Sequence, residues 1–168
     1  PLQRSCSGRG RIQQREDTLT ARPAPFAESR CQQQVSRIPT PETMKVEELA
    51  LQRKRYAHLS DEEWRWMLQQ AEGRQRTCDK LPTFAKIEDW WYPVRLSCEQ
   101  CSSEITARYK AALLSKIPFT LTDLTGGYGV DTFFMSEHAT QAHYVERNEE
   151  LCRIASHNFG LTRPQLQI

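Results

Sequence analysis

The sequence predicts a mixed α/β chain in which a helical N-terminal unit leads into the first βαβα units of an open, incomplete parallel sheet. Three observations carry that prediction. The stretch from Ile117 to Glu146 reads as strand, glycine turn, helix and second strand. An acid closes each strand, Asp123 before the glycines and Glu146 at the far end. Upstream, apolar residues recur at helical spacing between about residues 41 and 77, behind strong start signals. The expected organisation is therefore a disordered basic tail or non-native extension (1–43), a helical subdomain (44–98) and the start of a nucleotide-cofactor domain (99–168).

Residues 1–43 show no sustained period and are rich in Arg, Gln, Ser and Pro. Such a segment buries too little apolar surface to offset its ordering entropy, so it is read as disordered. The chain opens on Pro1, and helical patterning begins beside Met44, which is read as the natural start. Thr40-Pro41 has a capping hydroxyl followed by proline at the first helical position, and Val46, Leu49, Ala50, Arg53 and Tyr56 then share one face. Ser60-Asp-Glu-Glu63 is a capping box, with Leu59 and Trp64 placed as a hydrophobic staple. Trp64, Met67, Leu68 and Ala71 continue the apolar stripe towards Arg76.

Leu81-Pro82 closes the helical pattern, and residues 86–96 are aromatic and irregular, with Pro93 barring a central strand. Trp90, Trp91 and Tyr92 are read as core rather than as a platform for stacked bases. Cys98 and Cys101 have CxxC spacing, but two thiolates make half of a tetrahedral zinc site, and the chain offers no second CxxC and no HxxxH. No strand precedes the pair, as a redox motif of the thioredoxin type would require. Ser102-Ser103 is expected to cap a helix running to about Lys116, with Ile105, Tyr109, Ala112 and Leu113 as its buried stripe. Residues 117–124 and 141–146 are the predicted strands, joined through a helix from about Val130 to Glu137. A last helix from Glu149 to Phe159 should end with Gly160 at its C-terminal cap and Leu161 in the accompanying contact. Residues 163–168 look like the start of a third strand.

Composition narrows the function classes. The chain has 168 residues, 38% of them hydrophobic, a net charge of +2 and a mean hydropathy of −0.70. Seven arginines and four acids make the first 43 residues basic, leaving the remainder near neutral. Nucleic acid is thus an allowed partner but not one that charge argues for. No run of about 18 apolar residues suggests a membrane span, and no apolar leader opens the chain. Six scattered cysteines read as reduced thiols, and the expected location is cytoplasmic.

The glycine turn selects the cofactor. No Gly-Lys-Ser/Thr follows it, which removes a P-loop. A dinucleotide fold wants GxGxxG; Gly127 and Gly129 supply the first two glycines and Thr132 stands at the third. A carboxylate such as Asp123 would repel a pyrophosphate. A sulfonium cofactor without phosphate, S-adenosyl-L-methionine, removes the conflict. The glycines would let the backbone approach the ligand, the following helix N-terminus would take its carboxylate, and Glu146 would accept from the ribose hydroxyls.

Asp123-Leu-Thr-Gly-Gly-Tyr-Gly129, followed by Tyr144-Val-Glu-Arg-Asn148, resembles the Rossmann-like class I S-adenosylmethionine-dependent methyltransferases. Thr125 replaces the first glycine of the usual acid-x-G-x-G-x-G, as in RNA methyltransferase branches such as the trimethylguanosine-synthase-like (cap guanine-N2) group. Glu72-Gly-Arg-Gln75, Lys80-Leu-Pro82 and the run from Leu96 to Lys110 resemble bacterial members that carry a THUMP-like domain. The resemblance covers about residues 44–168. It implies that Asp123, Thr125, Gly127 and Gly129 line the methionine end, that Glu146 binds ribose, and that the helix from Ser102, including Ser103, flanks the cofactor. It further implies methyl transfer to a nitrogen, with RNA as the expected substrate. A class I sheet has seven strands and a target-holding motif after the fourth. Only two strands and the edge of a third are legible here, so the chain is expected to be an N-terminal fragment, with its catalytic residues beyond Ile168 and little activity alone. A dinucleotide-binding oxidoreductase fragment and a non-enzymatic RNA- or protein-binding module are the competing expectations.

Overall fold

The computed structural model describes residues 45–114, 118–163 and 166. The basic tail, the Thr40-Pro41 helix start and most of the expected third strand lie outside these residues.

Helix α1 (Val46–Ala50) buries Leu49 and then gives way to successive turns over residues 51–59. The expected continuation to Tyr56 does not form, because hydrogen bonds there span three residues, as in Arg55 N to Gln52 O (2.9 Å) and Tyr56 N to Arg53 O (3.2 Å). The Arg53 guanidinium donates to the carbonyls of Tyr56 (2.6 Å) and Leu59 (2.9 Å), holding the turns in place. The capping box forms as expected at the head of α2 (Asp61–Thr77): Ser60 Oγ accepts from Glu63 N, and Glu63 Oε2 accepts from Ser60 N. Leu59 and Trp64 are both buried and join Leu49 and Met67 in one small apolar cluster.

Pro82 opens a further short helix, α3 (Pro82–Ala85), where its missing N–H costs nothing. The irregular segment that follows puts Trp90, Trp91 and Tyr92 into the main core, as the sequence suggested. Phe84 lies at the centre of that core, 4.2 Å from Trp90 and 4.9 Å from Phe133 between ring centroids. Such aromatic pairs contribute about 0.5–1.5 kcal/mol each beyond area burial. The irregular backbone is clamped from the far end of the chain: Asn158 Oδ1 accepts from Trp91 N (2.8 Å) and Asn158 Nδ2 donates to Trp91 O (2.9 Å).

Helices α4 (Arg95–Gln100) and α5 (Glu104–Leu114) come next. The stripe expected to be buried on α5 is on the outside: Ile105, Tyr109 and Leu113 are 83, 66 and 61% exposed. The buried face carries Glu104, Ala107 and Ala111. Small side chains let α5 lie close to the next helix. Glu104 is tolerated because its carboxylate accepts from Thr83 N (2.9 Å), Thr83 Oγ1 (2.7 Å) and Arg108 Nε (2.9 Å).

Strand β1 (Thr120–Asp123) leads through the glycine turn to α6 (Val130–Met135), a 3-10 turn (Ser136–His138), β2 (Gln141–Tyr144) and α7 (Glu149–Thr162). The strands pair in parallel, with Thr120 opposite Gln141 and Asp123 opposite Tyr144. Both strand-closing acids thus come to the same, C-terminal edge of the sheet. Asn148 caps α7 by accepting from Glu150 N and Leu151 N. The stop expected at Gly160 is absent; α7 continues to Thr162, Arg163 N bonds Phe159 O (2.6 Å), and Leu161 is 46% exposed. With space around Gly160 open, nothing there forces the chain out of the helix.

Candidate functional site

The β1–α6 turn is held by bonds from three directions. From β2, Val145 O accepts from Gly126 N (3.0 Å), Glu146 Oε2 accepts from Gly127 N (3.0 Å), and Tyr144 Oη donates to Gly127 O (2.6 Å). From β1, Asp123 Oδ1 accepts from Thr125 N (3.1 Å) while its Oδ2 accepts from Thr132 Oγ1 (2.5 Å). From the core, the buried Tyr128 hydroxyl accepts from Trp90 Nε1 (2.9 Å) and donates to Trp91 O (3.3 Å). Burial pushes the Tyr128 and Tyr144 phenols well above their ordinary range, so both hydroxyls keep the protons they donate.

The three glycines serve different needs. A Cβ on Gly126 would stand 2.1 Å from the Tyr144 ring, and one on Gly129 would stand 2.6 Å from the Phe159 ring. At those positions the absent methyl makes room for the protein's own aromatics. A Cβ on Gly127 would meet only Thr125 O, at 3.8 Å, and its φ of +55°, like the +83° of Gly129, lies in the left-handed region that glycine adopts readily.

Beside this turn is a cavity of about 330 Å³, within the ordinary size range of small-molecule sites. One wall is the turn itself, from Thr125 to Asp131, with Glu146 at its end. The facing wall is the end of α4 and the link to α5: Ser97, Gln100, Cys101 and Ser102. Lys80 fixes that wall by donating to the carbonyls of Cys98 (3.1 Å) and Glu99 (3.0 Å) at the end of α4. Its own carbonyl accepts from Glu104 N (3.0 Å), at the start of α5. This gives the Lys80-Leu-Pro82 motif a physical role.

The cavity is anionic in character. Glu146 and Asp131 line it, and among the described residues no Lys, Arg or His does. Hydrogen bonding from Asn148 N outweighs the opposing effect of burial and, with Gly127 N, holds the Glu146 carboxyl below its usual range. Glu146 therefore stays charged. Cys98 and Cys101 behave differently: burial pushes Cys98 up to about 12 and also raises Cys101, so both sulfurs are neutral thiols. Among the described residues no three His, Cys, Asp or Glu side chains converge as a metal set, and no helix is long and apolar enough to cross a membrane.

Part of the chain is similar to the crystal structure of a candidate methyltransferase from Porphyromonas gingivalis W83, at 33% sequence identity and a TM-score of 0.59. The likeness covers 66% of this chain and 28% of that one, so the chain spans less than a third of the neighbour's length. No family model matches the chain, and no curated protein does.

Of the residues singled out in the sequence, Thr125, Gly127, Gly129 and Glu146 line the cavity together. Asp123 does not; both its oxygens are used to shape the turn. Thr132, at the place of a dinucleotide fold's third glycine, supplies one of those bonds. Ser103 is also off the cavity, capping α5 by accepting from Thr106 N (3.1 Å), while its neighbour Ser102 lines the wall. Ser102 belongs to the segment expected to flank the cofactor, whereas Asp131 and Gln100 were missed, because an acid one residue into a helix and a polar residue inside a CxxC carry no spacing signal. The contact that makes them a wall is tertiary.

Proposed function

We propose that the cavity binds S-adenosyl-L-methionine and that the chain carries the cofactor half-site of a Rossmann-like class I methyltransferase. The observation that carries this reading is the charge of the lining: two carboxylates and, among the described residues, no basic side chain. Asp131 is paired with Lys110 (2.7 Å), so Glu146 is the carboxylate whose charge a pyrophosphate placed there would meet. A ligand bearing a sulfonium and an ammonium gains from the same field. Charge selection, assigned from the sequence to Asp123, thus passes chiefly to Glu146, since Asp131 is paired with Lys110.

Bound there, the cofactor would supply a methyl group electrophilic enough for displacement by a nucleophile. Glu146 keeps unused lone pairs beyond its two backbone bonds and would accept from the ribose hydroxyls. Gly127, bare and held by Glu146 and Tyr144, would let the backbone come close to the ligand. The turn is preorganised, so little ordering would be left to binding. The acceptor class we propose is an RNA nitrogen, supported by the resemblance of residues 72–75, 80–82 and 96–110 to bacterial members with a THUMP-like domain.

The test is calorimetric titration of the 168-residue chain with S-adenosylhomocysteine and with NAD. Saturable binding of the former, with NAD at least tenfold weaker, is expected. Tighter binding of NAD would overturn the reading.

A further inference from the structure

Tyr128 stands in the middle of the glycine turn, but its side chain leaves the site. The residue lines the cavity between Gly127 and Gly129, yet it is only 4% exposed, because its ring reaches back into the core. There the hydroxyl accepts from Trp90 Nε1 (2.9 Å) and donates to Trp91 O (3.3 Å), partners 38 and 37 residues away in the chain. Both belong to the irregular stretch between α3 and α4, which is part of the helical unit and not of the sheet. That stretch is fixed on its other side by α7: Asn158 bonds both N and O of Trp91, and the His157 ring stacks on the Trp91 ring at 3.7 Å. Each residue of the turn therefore has its own anchor. Gly127 is held by Tyr144 and Glu146, Gly129 lies against Phe159, and Tyr128 is held by Trp90 and Trp91. A phenylalanine would fill almost the same volume as Tyr128, so packing alone does not call for the hydroxyl. A phenol and an indole N–H are tolerated this deep because they bond one another.

We propose that Tyr128 is a positioning residue for the ligand of this cavity: its hydroxyl, held by Trp90 and Trp91, sets the conformation in which the turn backbone meets the ligand. This rests on the cofactor reading above and adds the helical unit to the site as a working part of it. That unit already supplies the facing wall, with Ser97, Gln100 and Cys101. It thus bounds the cavity on one side through α4 and sets the turn on the other through Tyr128. Coupling between two sites is reciprocal, so a ligand at the turn steadies Trp90 in return. A hydrogen bond serving only the stability of the fold would show in unfolding and leave the affinity of the folded chain unchanged.

The experiment is a double-mutant cycle read by ligand affinity. S-adenosylhomocysteine is titrated by calorimetry into the wild-type chain, Tyr128→Phe, Trp90→Phe and the double variant, and the Trp90 indole N–H is followed by NMR. Loss of a hydrogen bond that anchors the turn should weaken binding by roughly threefold to tenfold in each single variant. Tyr128→Phe already removes the bond that Trp90→Phe removes, so the double variant should match Tyr128→Phe within about twofold. In the wild type the ligand should shift the Trp90 indole signal and slow its exchange with solvent; in Tyr128→Phe it should do neither. The Trp64 indole, in the separate small cluster, serves as the internal reference. A Tyr128→Phe chain that is less stable but binds as tightly as wild type overturns the proposal while the cofactor reading stands, and so do additive losses in the double variant. If Tyr128→Phe fails to fold by circular dichroism, Trp90→Phe decides, and unchanged affinity there overturns the proposal. A wild-type chain that takes up no S-adenosylhomocysteine sinks the cofactor reading along with it.

Discussion

Gly126→Ala isolates the space between the glycine turn and the end of β2. The backbone at Gly126 is not in the left-handed region, so alanine brings no torsional strain and the whole effect is steric. The new methyl would lie 2.1, 2.4 and 2.7 Å from three atoms of the Tyr144 ring. That ring is 2% exposed, packs edge-on against Phe159 at 5.7 Å, and is tethered through its hydroxyl to Gly127 O. It has no free direction in which to yield, and overpacking of this kind costs about 1–3 kcal/mol. For a chain of this size each kcal/mol lowers Tm by about 2–4 °C. Urea unfolding of the wild type, Gly126→Ala, Tyr144→Val and the double variant gives the coupling directly. In the Tyr144→Val background, which removes the clashing ring, Gly126→Ala should cost less than about 0.5 kcal/mol. A Gly126→Ala protein within about 0.5 kcal/mol of wild type, or one penalised equally in both backgrounds, would refute the claim that Tyr144 dictates this glycine.

Two further outcomes are expected. Asn158→Ala removes both halves of the clamp on Trp91 and leaves a buried N–H and a buried C=O without it, at about 1–3 kcal/mol for each group stranded; chemical denaturation should show a loss of at least 2 kcal/mol, roughly. Glu146 and Glu104 both have carboxyl groups held below the usual value of 4.5, Glu146 chiefly by Asn148 N and Glu104 by Thr83 and Arg108 against the cost of burial. A lowered native pKa gives stability that is complete above the unfolded value and lost as pH falls through the native one. Unfolding free energy should therefore hold from neutral pH down to about 5 and decline below about 4.5, with Glu104→Gln and Glu146→Gln each flattening the acid limb. A decline equally steep in both variants would remove these groups as its cause.

Legibility in the sequence followed how local each signal was. The Ser60–Glu63 capping box was readable because its two hydrogen bonds close within four residues. The α5 stripe was misread because hydrophobicity marks one face, Ile105 and Tyr109, while close packing against α6 selects the face with Ala107 and Ala111. The end of α7 was misplaced because a glycine permits a stop without requiring one, and only the free space around Gly160 shows that none was imposed.

The same division runs through the site. By itself the sequence determined that a strand, a glycine turn and a second strand bring two acids to one sheet edge, since alternation, turn chemistry and a parallel crossover are all encoded within thirty residues. It also determined Glu146 and Gly127 as members of the site. Only the tertiary structure decided what each glycine and each acid is for. Tyr144 and Phe159 claim the space at Gly126 and Gly129, and Thr132 with Thr125 occupies Asp123. Lys110 and Ser102, brought across from α5 and its approach, leave Asp131 with one oxygen unemployed. Residue types in a row state what hydrogen bonds a group is able to make; which of them are already spent depends on neighbours that arrive only when the chain folds.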